Sequence, residues 1–149
     1  MPRTKAQTAH LMASPEDVEL QFYEALREGD IDKLMALWAD DDEVVCVHPG
    51  GGRLVGLLAI RGAFEAIFAN GRIPVQPEQV QRVRSIDAAV HNVVERIQVQ
   101  SAEGVQVGVV IATNVYLRTT QGWRMVAHHA SPGMPEAQRE TAMPPSMLH

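Results

Sequence analysis

The chain has 149 residues, 46% of them hydrophobic, and sets 13 basic against 18 acidic side chains for a formal net charge of -5. That length and apolar content suit one domain around one core, and the acidic balance excludes the basic stripe needed to neutralise nucleic-acid phosphates or hold an anionic membrane. The N-terminus lacks the apolar run of a signal peptide, no window approaches the roughly 20 apolar residues of a spanning helix, and the single Cys46 has no internal disulfide partner; a cytoplasmic protein without nucleic-acid or membrane partners is expected.

Residues 1–13 read as a flexible N-terminus, after which helices fill the first half. Ser14 is a good N-cap, Pro15 fits a first helical position and Asp17 stands where a capping acid reaches back. Val18, Phe22, Ala25 and Leu26 follow at helical spacing, and Gly29 can end the run in a left-handed turn. Asp30 caps a second helix whose stripe is Ile31, Leu34, Met35 and Trp38, and the acidic run Asp40, Asp41, Asp42 stops it. Glu43 to Val47 is rich in β-branched residues and reads as a strand, ended by Pro49 and three glycines. A third helix is expected from about Gly56 to Asn70, with Leu57, Ile60, Phe64, Ile67 and Phe68 on its inner face.

The pattern then changes to period two. Val80 to Ile86, Val90 to Gln100, Val105 to Leu117 and Trp123 to Ser131 read as four strands joined by short turns, an antiparallel meander covered on one face by the helices. The expected architecture is α+β over residues 14–131, with the proline-rich 132–149 a mobile tail or an arm lying on a neighbour.

The order of elements, the Trp38-Ala39-Asp40-Asp41-Asp42 helix end, His48-Pro49-Gly50 after the first strand, the Gly56-to-Arg61 helix start and Gly122-Trp123-Arg124 resemble the NTF2-like superfamily, and within it the SnoaL-like and ketosteroid-isomerase-like proteins. The resemblance implies a cystatin-like conical barrel, with three N-terminal helices on a strongly curved, mostly antiparallel sheet that closes around a small-molecule pocket. It further implies a homodimer, here expected through the sheet face; proton-transfer chemistry in such a pocket would require no cofactor. Fold alone does not choose between isomerase, cyclase, dehydratase, ligand binder and scaffold.

Carried over residue by residue, the general base of ketosteroid isomerases matches His48, whose imidazole suits proton transfer near neutral pH. The two oxyanion donors match Phe22 and Asn114; Asn114 can donate through its amide, Phe22 cannot, and Tyr23 is turned about 100° from it around the helix. Half of that donor pair is therefore missing. Strand alternation groups His129 with Trp123, Met125 and Ala127, and His128 with Arg124, Val126 and Ala130, so one histidine faces the pocket and the other solvent or a partner. Which one is inward stays open.

Glu95, among Val93 and Ile97 on one strand face, should find a cation such as Arg61 or stay protonated if it points inward; otherwise both make surface ion pairs. Trp38, Phe64, Phe68 and Trp123 read as core that also lines the pocket, together with Phe22 and Tyr23. His48 and Asn114 have plain structural readings too: a hydrogen bond to the turn backbone and one to a strand-edge carbonyl. His48, His128 and His129 lack metal-ligand spacing, the glycine run lacks a phosphate-loop lysine, and Cys46 has nothing to activate it. The readings that remain are a cofactor-independent proton-transfer enzyme acting on a small, apolar, carbonyl-containing metabolite, a ligand binder using the same pocket, and a dimeric association domain.

Overall fold

A computed structural model describes residues 12–134. The expected N-terminal segment, but for Met12 and Ala13, and the tail from residue 135 onward lie outside the described residues. Among those described, no helix is long and apolar enough to cross a membrane.

Helix α1, Pro15–Glu28, begins as its sequence demands: Ser14 accepts the Asp17 N–H at 3.1 Å, Pro15 occupies the first turn, and Gly29 closes the helix at φ +68°. Its stripe of Val18, Phe22, Ala25 and Leu26 is buried, and so are Glu19 and Tyr23 on the same face. Helix α2, Ile31–Ala36, is capped by Asp30, which accepts from the Lys33 N–H. Strands β1, Val45–Val47, and β2, Arg53–Val55, form a hairpin, and helix α3, Leu57–Ala69, buries Ile60 and Phe64. The four long strands are β3, Val75–Arg84, β4, Ala88–Ser101, β5, Gly104–Thr119, and β6, Gly122–Pro132.

All six strands join one mixed sheet in the order β2-β1-β6-β5-β4-β3, antiparallel except where β1 runs parallel to β6. The expected meander is present, but the sheet is open rather than closed into a conical barrel: β2 and β3 are edges that do not pair with each other. A three-residue β2 offers few ladder bonds, and β3 carries Pro77, which lacks an N–H, and a register shift between Glu78 and Gln81 with Gln79 at φ +48°. Such devices blunt an edge against further pairing. They also explain why β3 begins at Val75, five residues before the periodic pattern suggests, because an edge strand tolerates the proline.

The helices cover one face of the sheet. The core between them gathers Val18, Phe22, Tyr23, Leu34, Trp38 and Phe64 with Val93, Ala112, Tyr116 and Met125. Each fully buried Phe contributes about 1.5–3 kcal/mol through the apolar surface removed from water. Met12 belongs to the same core, its carbonyl accepting from the Trp123 N–H at 2.7 Å. Tyr116 lies on this inner face, and Val110 shares its parity on β5, whereas Val90, Val94 and Leu117 belong to the other face, where Val94 is buried and Val90 and Leu117 are exposed.

Candidate functional site

His48 leaves the end of β1 on a tight turn. The Gly51 N–H donates to the His48 carbonyl at 2.8 Å, with Pro49 at the first central position and Gly50 at φ +72° at the second. Proline pre-sets the first of these conformations and glycine alone adopts the second without strain, so the Pro-Gly pair aims the half-buried imidazole. Its ring stacks edge-on against Phe64 at 4.8 Å and lies 6.4 Å from the ring of His128. Burial lowers its pKa, which favours the neutral ring.

The inward histidine is His128, buried at 4% exposure, and His129 is exposed. The reason lies in a bulge. Val115 pairs with Ala127 but Tyr116 pairs with Met125, leaving Val126 as an extra residue on β6. One extra residue reverses the alternation beyond it, so Trp123 and Met125 share the inner face with His128 and Ala130 rather than with His129. Burial first, and then the neighbouring His48 and His129, push the His128 imidazole down to about 3, so it is neutral at ordinary pH.

Behind His128 runs a buried polar chain. His128 Nδ1 is 2.5 Å from Asn114 Oδ1, Asn114 Nδ2 donates to the Tyr23 hydroxyl at 3.0 Å, and that hydroxyl donates to Glu95 Oε2 at 2.7 Å. Asn114 is therefore engaged through both atoms of its fully buried amide, and its position as the cross-strand partner of His128 explains the contact. Tyr23, expected to turn away, is the helical tyrosine that enters the network, while Phe22 packs against Tyr23, Phe64 and the His128 ring. Both are buried: Phe22 fills toward α3 and Tyr23 reaches the sheet. Among the described residues no cation pairs with Glu95; burial pushes its carboxyl up to about 7, opposed by the Tyr23 hydrogen bond.

Other expected site residues lie elsewhere. Arg61 does not pair with Glu95 but with Asp32 at 2.9 Å and Glu65 at 3.7 Å on the outer side of α3. Trp123 sits under the Arg84 guanidinium at 5.0 Å and is five residues from His128, roughly 16 Å along a strand. Trp38 is buried beside Met125, bridging to its backbone, and its indole N–H has no hydrogen-bond partner among the described residues. Phe68 packs against Phe64 with its ring 6.0 Å away, and Phe64 in turn meets His48. Cys46 Sγ is 3.8 Å from His48 Nε2, yet burial and then Glu95 push the thiol up to about 12, so it stays protonated and is no nucleophile. Among the described residues no three His, Cys, Asp or Glu side chains gather in a metal-binding group. Surface grooves of about 470 Å³ beside Arg27, Val75 and Arg96, and about 280 Å³ beside Asp40, Thr119 and Arg124, do not include the imidazoles.

A second polar cluster has no counterpart in the sequence reading. His91 is fully buried, with Nδ1 2.5 Å from Glu19 Oε2 and Nε2 3.4 Å from Glu16, and Arg82 holds the other Glu19 oxygen at 2.9 Å. A signal was present: Glu19 stands one turn before Tyr23 on the buried face of α1, and His91 shares the inward parity of Glu95 on β4. Polar residues at such positions look like solvent-facing ones until the partner element is known.

The comparisons agree with this architecture. A model of the SnoaL-like domain matches residues 16–135. A candidate calcium/calmodulin-dependent protein kinase type II association domain from Thiobacillus denitrificans is 37% identical, with 83% of this chain and 98% of that one covered and a TM-score of 0.75. A candidate dehydratase of the NTF2-like family from Streptomyces avermitilis is 29% identical over 91% of this chain and 100% of that one, at a TM-score of 0.71. An NTF2-like protein with a cystatin-like fold from Novosphingobium aromaticivorans, 17% identical over 78% and 77% of the two chains at a TM-score of 0.66, shares the fold. No curated protein matches the chain. With its helices on an open mixed sheet and the family model spanning most of its length, the chain belongs to the SnoaL-like domain family of NTF2-like proteins.

Proposed function

We propose that the chain binds a small, apolar, carbonyl-containing molecule against His48, Phe64, Phe68 and His128, and that the imidazoles move a proton on it without a cofactor, in isomerase, cyclase or dehydratase fashion. The carrying observation is the pair of neutral rings 6.4 Å apart, the outer one half-buried against Phe64 and the inner one anchored by a buried polar chain. A neutral imidazole at the rim of an apolar wall is a base that needs no further desolvation before it takes a proton. Asn114 serves in this reading as an anchor for His128, not as an oxyanion donor.

Solvent-deuterium incorporation into a panel of cyclic ketones and enones tests it. Wild type is expected to label at least one of them, and His48→Ala to slow labelling by about 100-fold. Ligand binding without labelling would favour the binding-protein reading, and a panel that neither binds nor labels would remove the small-molecule reading altogether.

A second reading concerns association, and it is compatible with the first. The outer face of the sheet has no cover among the described residues, and Val90 and Leu117 are each about two-fifths exposed on it, at 40% and 41%. Likeness to a candidate kinase association domain supports self-association through that face. Sedimentation should show a dimer or larger assembly for wild type, and Val90→Asp with Leu117→Asp should shift it to monomer; an unchanged assembly would place the interface elsewhere.

A further inference from the structure

The buried chain behind His128 has a direction. An ionised Glu95 carboxylate has no proton to give, so the Tyr23 hydroxyl, 2.7 Å from Oε2, must be the donor. The phenolic oxygen then accepts, and what it accepts is the Asn114 Nδ2–H at 3.0 Å. That turns Oδ1, the only other polar atom of the amide, toward His128 Nδ1. An amide oxygen cannot donate, so the proton of the contact belongs to Nδ1, and the lone pair of the neutral ring is left on Nε2.

We propose that Glu95, acting through Tyr23 and Asn114, holds His128 as the Nδ1–H tautomer and thereby presents Nε2 as the basic nitrogen of the site. Glu95, Tyr23 and Asn114 are positioning residues; none needs to touch a substrate. His128 Nε2 makes no hydrogen bond among the described residues, and the rings of Phe22 and His48 flank the imidazole at 5.2 and 6.4 Å. The chain can also run in reverse. If position 95 donates to Tyr23, the hydroxyl turns to donate to Asn114, the amide rotates so that Nδ2 donates to an unprotonated Nδ1, and the imidazole proton moves to Nε2 with no net gain or loss of protons. His128 would then offer a donor where it now offers a base. The polarity at Glu95 thus decides which chemistry the far end of the chain can perform.

The inference rests on the reading of the imidazole pair as the reactive site, but its test requires no substrate. Ring 15N spectra of histidine-labelled protein distinguish protonated from unprotonated nitrogen, with His128 assigned by the signal lost in His128→Asn. The pH is set well above the value of about 7 to which burial pushes Glu95. In wild type, Nδ1 is expected to be protonated and Nε2 unprotonated. Glu95→Gln, whose amide can donate as well as accept, should move His128 toward the Nε2–H form, and Tyr23→Phe, which cuts the chain, should do the same. Adding Asn114→Asp to Glu95→Gln should restore Nδ1–H, because a carboxylate can only accept. An Nε2–H tautomer in wild type, or a spectrum unmoved by either single variant, would overturn the inference while leaving the proton-transfer reading to stand or fall on the labelling experiment.

Discussion

Glu95→Gln should gain stability relative to wild type by about 3 kcal/mol as pH rises from 4.5 to about 7, the interval between the ordinary and the raised pKa of the carboxyl. A group whose folded pKa is raised contributes stability that is fully present below its unfolded pKa and is lost as pH climbs through the folded one. The buried His128 works in the opposite sense. Its folded pKa falls from 6.5 to about 3, so its contribution is present above 6.5 and is lost toward 3, by about 5 kcal/mol in all. Between 4.5 and 6.5 the two slopes oppose each other, one proton against one proton, and the wild-type contribution from this pair should be nearly flat. Glu95→Gln removes one slope and exposes the other, giving steep acid destabilisation from pH 6.5 downward. Urea unfolding of both proteins across this range is the measurement, and a stability difference independent of pH would show that the Glu95 carboxyl titrates normally.

Glu19→Ala should cost about 3 kcal/mol, at the lower end of what breaking a buried ion pair costs. The carboxylate receives His91 Nδ1 on one oxygen and Arg82 on the other at 8% side-chain exposure. Arg82 is 45% exposed and can turn to water when its partner is lost, whereas His91 is sealed and is left with only the longer contact to Glu16. The loss at His91 therefore dominates. Burial raises the Glu19 pKa, but hydrogen bonds from His91 and Arg82 outweigh it and leave the folded value lowered. Its contribution is accordingly present above the ordinary carboxylate pKa and lost as pH falls through the lowered one. Denaturant unfolding should show the full deficit near neutral pH and a smaller one in acid; a deficit that stays constant as the carboxylate protonates would point to lost packing of α1 instead of lost charge.

Local chemistry made much of this molecule legible. Ser14, Pro15 and Gly29 bound α1 because capping and left-handed closure act over a few residues, and the Pro49-Gly50 turn follows from two residues with restricted and permissive backbones. Period-two patterning identified three of the four long strands closely, and missed the start of β3 and all of β2, where an edge position or a three-residue length leaves too little pattern. His48 and Asn114 were identifiable as polar residues on otherwise apolar elements, although their separate roles were not.

What the sequence by itself determined was the order of elements, the α+β class and the residues able to carry a proton. Tertiary structure decided how they meet. Strict alternation cannot tell His128 from His129, because a bulge at Val126 arises from pairing with β5 and reverses the faces beyond it. A count of positions around α1 assigns one inward residue, yet a helix packed against both α3 and the sheet buries Phe22 and Tyr23 together and lets Tyr23 reach Asn114 and Glu95, 91 and 72 residues away in the chain. Polar contacts at such separations depend on register and on the packing of α1 against the sheet, and neither is encoded in any local stretch of sequence.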